Sequence, residues 1–209
     1  MSAPRVIAER FELLAIAGEG GMGTVHRAFD RIEARTVAVK LLRADSQHEQ
    51  RFRREARLLA EVSHPNVVRH VAHGLSEDGF YLVMEWLEGE TLGEYLKARA
   101  TRGEGGLDLA AAIKMLEPAA RALAVAHAQK IAHRDVKPAN IFLTDVGGRK
   151  TAKVLDFGIA KVLSDHRGYT TALESTAMSP TAFTPRYGAP EQFNKQRGAT
   201  GPWTDVFAL

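Results

Sequence analysis

Eight consecutive residues, HRDVKPAN at positions 133–140, constrain this chain more than any other stretch. They follow a helical pattern that ends near Lys130. Asp135 can accept a proton, Lys137 can hold a phosphate charge, and Asn140 can offer its amide oxygen to a hard metal ion. A polar stretch of this composition could also be a solvated turn. Further motifs surround it in a consistent order, which favours a site for phosphoryl transfer, a reaction that depends on positioning and charge neutralisation.

The composition excludes several classes of protein. The 209 residues include no cysteine, so disulfide scaffolds, thiolate metal sites and cysteine nucleophiles are excluded. The net charge of +3 comes without a basic block, which gives no reason to expect a nucleic-acid partner. No apolar run approaches the roughly 18 residues that span a bilayer, and the N-terminus lacks the apolar segment of a signal peptide. We therefore expect a cytoplasmic chain without a membrane segment, and a membrane anchor beyond Leu209 is left open.

A glycine pattern near the N-terminus predicts a phosphate-binding turn. Residues 11–29 read as strand, turn and strand, and Gly18, Gly20 and Gly23 form the pattern G-x-G-x-x-G. Glycines allow the backbone to approach a phosphate closely. A dinucleotide-binding turn and a plain hairpin can have a similar glycine pattern, so both are alternatives. The sequence after Gly23 alternates like a strand, whereas a dinucleotide site requires a helix there, so a lid over a triphosphate is favoured.

A lysine and a glutamate in the next two segments could form a pair. Residues 36–42 alternate, which predicts a strand with Lys40 on the same face as Ala38. Residues 49–62 have helical spacing, and Glu55 lies on the apolar stripe, where an unpaired carboxylate is costly. Lys40 is the natural partner, and the pair would orient the lysine toward a phosphate. The alternatives are an ordinary surface lysine and a surface salt bridge between Glu55 and a neighbouring arginine.

Further helices and strands are predicted on either side of residues 133–140. Residues 90–100 and 108–130 read as helices, and the second is capped by Asp108 and interrupted by Pro118. His127 is interpreted as a packed or solvated residue, because no second histidine or carboxylate is spaced to join it as a ligand. Residues 141–143 and 152–158 read as short strands around a Gly-Gly turn.

Asp156, in the triplet DFG behind the second of these strands, is a further oxygen ligand. Magnesium prefers oxygen ligands and bridges phosphate oxygens. Asn140 and Asp156 together could therefore hold it.

These motifs together resemble those of the protein kinases: the glycine turn, the strand lysine, the loop at 133–140, the DFG triplet, and TPRYGAPEQF at 184–193. Lys137 with Pro138 resembles the serine/threonine branch, and the turn GEGGMG resembles bacterial members. The resemblance runs from about Phe11 to Leu209. It implies an α+β, kinase-like bilobal fold, with a small β-rich N-lobe over residues 1–87. An incomplete, mainly helical C-lobe would occupy residues 88–209, truncated within the large lobe.

The resemblance also implies ATP and Mg²⁺ as cofactors. Lys40, paired with Glu55, would hold the α- and β-phosphates. Met84 would be the gatekeeper before the interlobe hinge. The implied nucleotide-binding residues are the glycine turn, its flanks, two strand residues and two hinge residues: Ala17, Gly18, Glu19, Gly20, Gly21, Met22, Gly23, Thr24, Val25, Ala38, Lys40, Glu85 and Leu87.

By the same resemblance, Asp135 would orient and deprotonate the hydroxyl of a serine or threonine on a protein substrate. Lys137 would neutralise the γ-phosphoryl charge, and Asn140 and Asp156 would hold magnesium. Thr184 matches the threonine that serine/threonine kinases set against the catalytic aspartate and lysine.

Residues 159–187 lose periodicity and resemble an activation segment. Arg134 would grip a phosphate on one or more of their hydroxyls, at Thr170, Thr171, Ser175, Thr176, Ser179 or Thr181. An ordinary loop without a switch is the alternative. Phe183 stands where the family usually has glycine, which puts the local substrate platform in question. The resemblance leaves room for self-association for autophosphorylation.

Two rival interpretations remain. A pseudokinase-like nucleotide-binding module usually lacks the lysine, aspartate or asparagine, and none is missing here. An inactive fragment is the second rival, because residues 203–209 resemble only the start of a helix that anchors the large lobe, with Asp205 as its buried aspartate. The missing helices would leave apolar surface bare and Glu191 without its arginine partner. Small-molecule kinases share parts of the loop but seldom carry Ala-Pro-Glu after such a segment.

Overall fold

The computed structural model describes residues 4–20, 23–42, 49–157 and 184–209. They divide into two compact units. The first contains the described parts of Met1–Glu61 and Arg69–Trp86, and the second contains those of Val62–Val68, Leu87–Gly158 and Phe183–Leu209. The expected lobes at residues 1–87 and 88–209 stay a prediction.

The described part of the first unit is one antiparallel sheet with one helix. Its elements are β1 Val6–Ile7, β2 Phe11–Gly20, β3 Gly23–Asp30, β4 Arg35–Leu42, α1 Glu49–Glu61, β5 His70–Ser76 and β6 Gly79–Glu85. The strand order is β1-β2-β3-β4-β6-β5, so β6 inserts between β4 and β5. The predicted strands at 11–29 and 36–42 and the predicted helix at 49–62 are all present.

Buried apolar side chains cover both faces of this sheet. Val37, Val39 and Leu41 of β4 belong to a hydrophobic cluster on one face, whereas Ala38 and Lys40 alternate with them on the other. On that other face the rings of Phe52 and Phe80 stack at 4.6 Å and pack α1 against β6. Because apolar burial contributes roughly 25 cal/mol per Å², this alternation fixes which side chains of β4 face the hydrophobic cluster.

The second unit combines helices with a small three-stranded sheet. Its elements are β7 Gly89–Thr91, α2 Leu92–Thr101, α3 Leu109–Ala128, β8 Ile141–Val146, β9 Arg149–Val154, α4 Pro190–Phe193 and α5 Pro202–Ala208. Single 3-10 turns occupy Pro138–Asn140, Pro185–Tyr187 and Lys195–Arg197. No helix among the residues described above is both long and apolar enough to cross a membrane.

Side-chain caps fix where the two longer helices begin. The hydroxyl of Thr91 accepts the Glu94 N–H and Glu94 accepts the Thr91 N–H in return, so α2 starts at Leu92 and not at residue 90 as predicted. Residues 89–91 pair with β8 instead. Asp108 caps α3 as predicted, by accepting the Ala111 N–H at 2.8 Å. Pro118 lies inside that helix, which continues to Ala128.

The described end of the chain carries exposed apolar side chains on α5. Trp203, Val206 and Phe207 are 59%, 70% and 61% exposed. Glu191 Oε1 accepts a hydrogen bond from the Thr204 hydroxyl at 2.6 Å. A hydroxyl is not the arginine that the resemblance implies, so the expectation that Glu191 lacks its arginine partner stays a prediction.

Candidate active site

The loop between α3 and β8 brings together the three polar residues that the sequence singled out. Lys137 Nζ lies 2.9 Å from Asp135 Oδ2. The Asn140 amide donates to the same Oδ2 at 3.1 Å and to the Asp135 carbonyl at 2.8 Å. Pro138 starts the 3-10 turn that carries Asn140 back toward Asp135, because its fixed φ suits the first position of a helical turn. The carboxylate of Asp135 is thus held between a cation and an amide.

Thr184, 47 residues after Lys137, also contacts this loop. Lys137 Nζ donates to the Thr184 hydroxyl at 2.8 Å. The ammonium therefore bridges Asp135 and Thr184, as the sequence resemblance implied for these positions. Asp135, Thr184, Tyr187 and Gln192 line a surface crevice that is too narrow to admit a water molecule.

A buried carboxylate from α5 holds the backbone of the loop. Asp205 is fully buried, and its two oxygens accept the N–H groups of His133 at 2.7 Å and Arg134 at 2.6 Å. His127 Nε2 lies 2.8 Å from the same carboxylate. Charge-assisted bonds of this kind are about twice as strong as neutral ones, so Asp205 anchors the start of the loop. The interpretation of His127 as a packed helix residue missed this bond.

His133 links the loop to the strand that precedes Asp156. Its Nε2 lies 2.6 Å from the Leu155 carbonyl oxygen, and its Nδ1 accepts the Asp135 N–H at 3.2 Å. Nε2 therefore carries the proton and Nδ1 does not. Burial lowers the pKa of His133, which favours this neutral form. The ring also packs 5.0 Å from that of Phe157. Sequence reasoning gave this histidine no role.

The two predicted metal ligands lie on neighbouring backbone. The Leu155 N–H donates to the Asn140 carbonyl at 2.9 Å, and Asp156 follows directly with a φ of 48°. The side-chain nitrogen of Asn140 donates to Asp135, which leaves its Oδ1 as the atom for a metal. Within the described ranges, no group of three or more histidine, cysteine or acidic residues could hold a metal. One amide and one carboxylate fit magnesium, which takes its remaining ligands from water and phosphate.

The predicted nucleotide-binding residues of β2, β3 and β4 form a row across the first sheet. Gly18 is paired with Val25, and Val25 with Lys40. Ala38, two residues from Lys40 on the same face, is paired with Met84 of β6. Ala17, Glu19 and Thr24 lie on the same two strands, and Glu19 is paired with Thr24.

The glycines of this turn differ in what surrounds them. A Cβ on Gly23, whose φ is 143°, would lie 1.9 Å from the Leu41 carbonyl oxygen, so no other residue fits there. A Cβ on Gly18 or Gly20 would meet no atom of the described residues within 4 Å. As far as the structure describes the chain, the space beside these two glycines is open, as a site that admits a phosphate requires.

The structure describes only some of the remaining predicted site residues. The Glu85 N–H donates to the Arg69 carbonyl at 2.9 Å, so it is not available to a ligand. Leu87 lies between β6 and β7. Gly21, Met22, the Glu55 side chain, Gly158, Phe183 and the hydroxyls at 170–181 lie outside the described residues. The Lys40–Glu55 pair therefore stays a prediction.

Comparison with known proteins shows which family this chain belongs to. A family model described as "Protein kinase domain" matches residues 11–209. The chain belongs to the protein kinase family. As a family, these kinases use ATP and Mg²⁺.

Similar proteins include serine/threonine kinases of bacteria. The chain is 38% identical over 207 residues to the serine/threonine-protein kinase PrkC of Bacillus subtilis, with 97% of this chain and 29% of that protein covered. It is 38% identical over 219 residues to the serine/threonine-protein kinase PknA of Mycobacterium tuberculosis, with 99% and 47% covered. This chain thus spans less than half the length of these relatives.

A solved structure shows the same fold. The crystal structure of the Mycobacterium tuberculosis PknI kinase domain aligns with a TM-score of 0.73 and 24% identity, covering all of this chain and 73% of that one. The α+β protein-kinase fold predicted from the sequence is confirmed.

Proposed function

We propose that this kinase domain transfers the γ-phosphoryl group of ATP to serine or threonine hydroxyls of proteins. The observation that carries the proposal is the Lys137 ammonium, which bridges the carboxylate of Asp135 at 2.9 Å and the hydroxyl of Thr184 at 2.8 Å. A proton acceptor, a cation and a hydroxyl group, from Asp135, Lys137 and Thr184, are therefore linked by hydrogen bonds. The names of the bacterial relatives support the same reaction.

Each residue of the loop has a defined part in this reaction. Asp135 accepts a hydrogen bond from the substrate hydroxyl and takes its proton as the oxygen bonds to the γ-phosphorus and the bond to the β,γ-bridging oxygen breaks. Lys137 stands beside Asp135 and offsets the charge on the transferring group. Asn140 keeps Asp135 in place through the bond to Oδ2.

Asn140 Oδ1 and the Asp156 carboxylate would hold magnesium. When bound, the ion neutralises phosphate charge and orients the phosphates. The open space above Gly18 and Gly20 would admit those phosphates, and Lys40, in the row with Gly18 and Val25, would pair with them. Residues 1–87 would form the nucleotide-binding lobe and residues 88–209 the substrate-binding lobe.

Regulation and location are part of the same proposal. Phosphorylation of one or more hydroxyls at 170–181 would switch the domain on, with Arg134 as the partner of the phosphate, and self-association would allow one copy to modify another. We place the reaction in the cytoplasm, because ATP is supplied there and a cysteine-free chain is compatible with a reducing compartment.

The substitution Asp135→Asn tests the proposal. It preserves size but removes the proton acceptor, so phosphoryl transfer to a mixture of serine- and threonine-containing peptides should fall about 10²- to 10⁴-fold. Binding of Mg-ATP, measured as the rise in melting temperature with nucleotide, should be unchanged. The matched control is Asp145→Asn, at an exposed turn residue whose bond to the Gly148 N–H an asparagine can keep.

Two results would contradict the proposal in different ways. An Asp135→Asn chain that transfers phosphate at the wild-type rate would remove Asp135 from its role. A wild-type chain that binds Mg-ATP but transfers nothing would support a nucleotide-binding module instead of an enzyme.

A further inference from the structure

The residue that precedes the candidate base, Arg134, is held at both of its backbone polar groups. Arg134 N–H donates to Asp205 Oδ1 at 2.6 Å, and the Arg134 carbonyl accepts a hydrogen bond from Gln192 Nε2 at 2.9 Å. Gln192 lies in α4, and its Oε1 accepts the Ala189 N–H at 3.0 Å. One side-chain amide thus connects the catalytic loop to the first residue before α4.

Arg134 needs such a restraint because of its backbone conformation. Its φ is 64°, in the left-handed region that residues with a Cβ rarely adopt. Conformations of this kind persist only where the surrounding structure fixes them. Asp205 fixes the N–H side of Arg134, and Gln192 fixes the carbonyl side.

The restraint bears directly on Asp135. The carbonyl of Arg134 and the N–H of Asp135 belong to the same planar peptide unit, so neither can rotate without the other. The Asp135 N–H donates to His133 Nδ1 at 3.2 Å, which is a long bond. The shorter bond from Gln192 is therefore the stronger hold on the orientation of this peptide plane, and through it on the carboxylate.

We propose that Gln192 is a positioning residue for phosphoryl transfer, which acts by donating a hydrogen bond to the Arg134 carbonyl and so fixing the direction of the Asp135 carboxylate. This inference rests on the proposed kinase function. The donor half of the Gln192 amide carries the effect on Asp135, and the acceptor half holds only the backbone of Ala189.

Two substitutions separate the two halves of the amide. Gln192→Glu keeps an acceptor for the Ala189 N–H and replaces the donor to Arg134 with a carboxylate oxygen. Gln192→Lys keeps a donor for the Arg134 carbonyl and removes the acceptor. Gln196→Glu, at an exposed glutamine of the neighbouring turn, makes the same chemical change away from the loop and serves as the matched control.

The measurement is kcat and KM for phosphoryl transfer by the 209-residue chain. A misplacement of about 1 Å can lower a rate about 10²-fold, so Gln192→Glu should lower kcat by about tenfold to a hundredfold. The KM for ATP should stay within about twofold of wild type, because binding that is unrelated to the transition state is untouched. Gln192→Lys should retain more kcat than Gln192→Glu, and Gln196→Glu should equal wild type. A Gln192→Glu chain with wild-type kcat, or a Gln192→Lys chain no better than it, would overturn the proposal.

Two other causes of low activity can be told apart from a loss of the positioning role: a variant that does not fold, and a wild-type chain that is not a kinase. If Gln192→Glu does not fold, Gln192→Lys is compared with Gln192→Met. Methionine offers neither the hydrogen-bond donor nor the acceptor of the glutamine amide. Equal kcat values for these two variants would overturn the proposal. Hydrogen exchange at the Arg134 and Asp135 amides gives a readout that needs no activity. If wild type transfers no phosphate, the kinase function fails, and slower exchange in Gln192→Lys than in Gln192→Glu would still support the positioning role.

Discussion

The two compact units hold their candidate site residues by different means. In the second unit, the loop that carries Asp135 and Lys137 is fixed by side-chain bonds to Thr184, Gln192 and Asp205, which lie far along the sequence. In the first unit, the candidate residues stand in a row because the strands that carry them are in register.

This difference shows which kind of substitution should damage each unit. A polar network fails when one buried partner is removed, because the groups left behind lose their hydrogen bonds without regaining water. Residues that are aligned by strand register lose their alignment when an added side chain displaces the backbone of a strand. Deletion of a side chain should therefore damage the second unit, and addition of one should damage the first.

The largest effect is expected from Asp205→Ala. It leaves the N–H groups of His133 and Arg134 and the ring of His127 without their acceptor, so the free energy of unfolding should fall by at least about 3 kcal/mol. Urea denaturation measures the loss. His127→Ala removes only one of the three contacts and should cost less. Equal losses for the two variants would mean that the loop does not depend on Asp205.

The second effect is expected from Gly23→Ala. The added Cβ would lie 1.9 Å from the Leu41 carbonyl oxygen, and overpacking of this kind costs about 1–3 kcal/mol. The melting temperature and the affinity for Mg-ATP should both fall. Gly20→Ala is the matched control for the melting temperature, because no atom of the described residues lies within 4 Å of a Cβ at this position. Hydrogen exchange at Arg134 should stay at its wild-type rate in both; faster exchange in Gly23→Ala would break the contrast between the units.

The smallest effect concerns a polar pair in the first unit. His70 Nε2 lies 3.0 Å from His73 Nδ1, and burial, with a contribution from His73, lowers the pKa of His70 to about 4. Between the usual pKa of about 6.5 and this value, the unfolded chain binds a proton that the folded chain does not. The free energy of unfolding should therefore fall as the pH drops from about 6.5 toward 4.

His70→Leu removes this contribution. Plots of unfolding free energy against pH for the variant and the wild type should have different slopes in that window, because only the wild type loses stability through this histidine as the pH falls. The difference should be modest because the imidazole is only half-buried. Parallel plots would show that His70 does not titrate in this way.

The sequence predicted well what depends on local pattern. The strands at 11–29 and 36–42, the cap at Asp108 and the close placement of Asp135, Lys137 and Asn140 follow from periodicity and from spacing within a few residues. The boundary of α2 was wrong by two residues, because the pairing of residues 89–91 with β8 depends on a strand about fifty residues later.

The sequence did not predict what depends on distant polar partners. The bond between His127 and Asp205 joins residues 78 positions apart, and that between Gln192 and Arg134 joins residues 58 apart. No periodicity connects such positions. A sequence signal existed only for the first bond: Asp205 is a carboxylate inside an apolar stretch, which must find donors wherever the fold supplies them.

The reach of Asp205 also sets an order of events during synthesis. Its carboxylate follows His133 by 72 residues and Arg134 by 71. At a translation rate of about 5–20 residues per second, the loop leaves the ribosome roughly four to fourteen seconds before the group that fixes it. The loop that carries Asp135 is therefore completed late, and under the proposed function a nascent chain should transfer no phosphate until α5 has emerged.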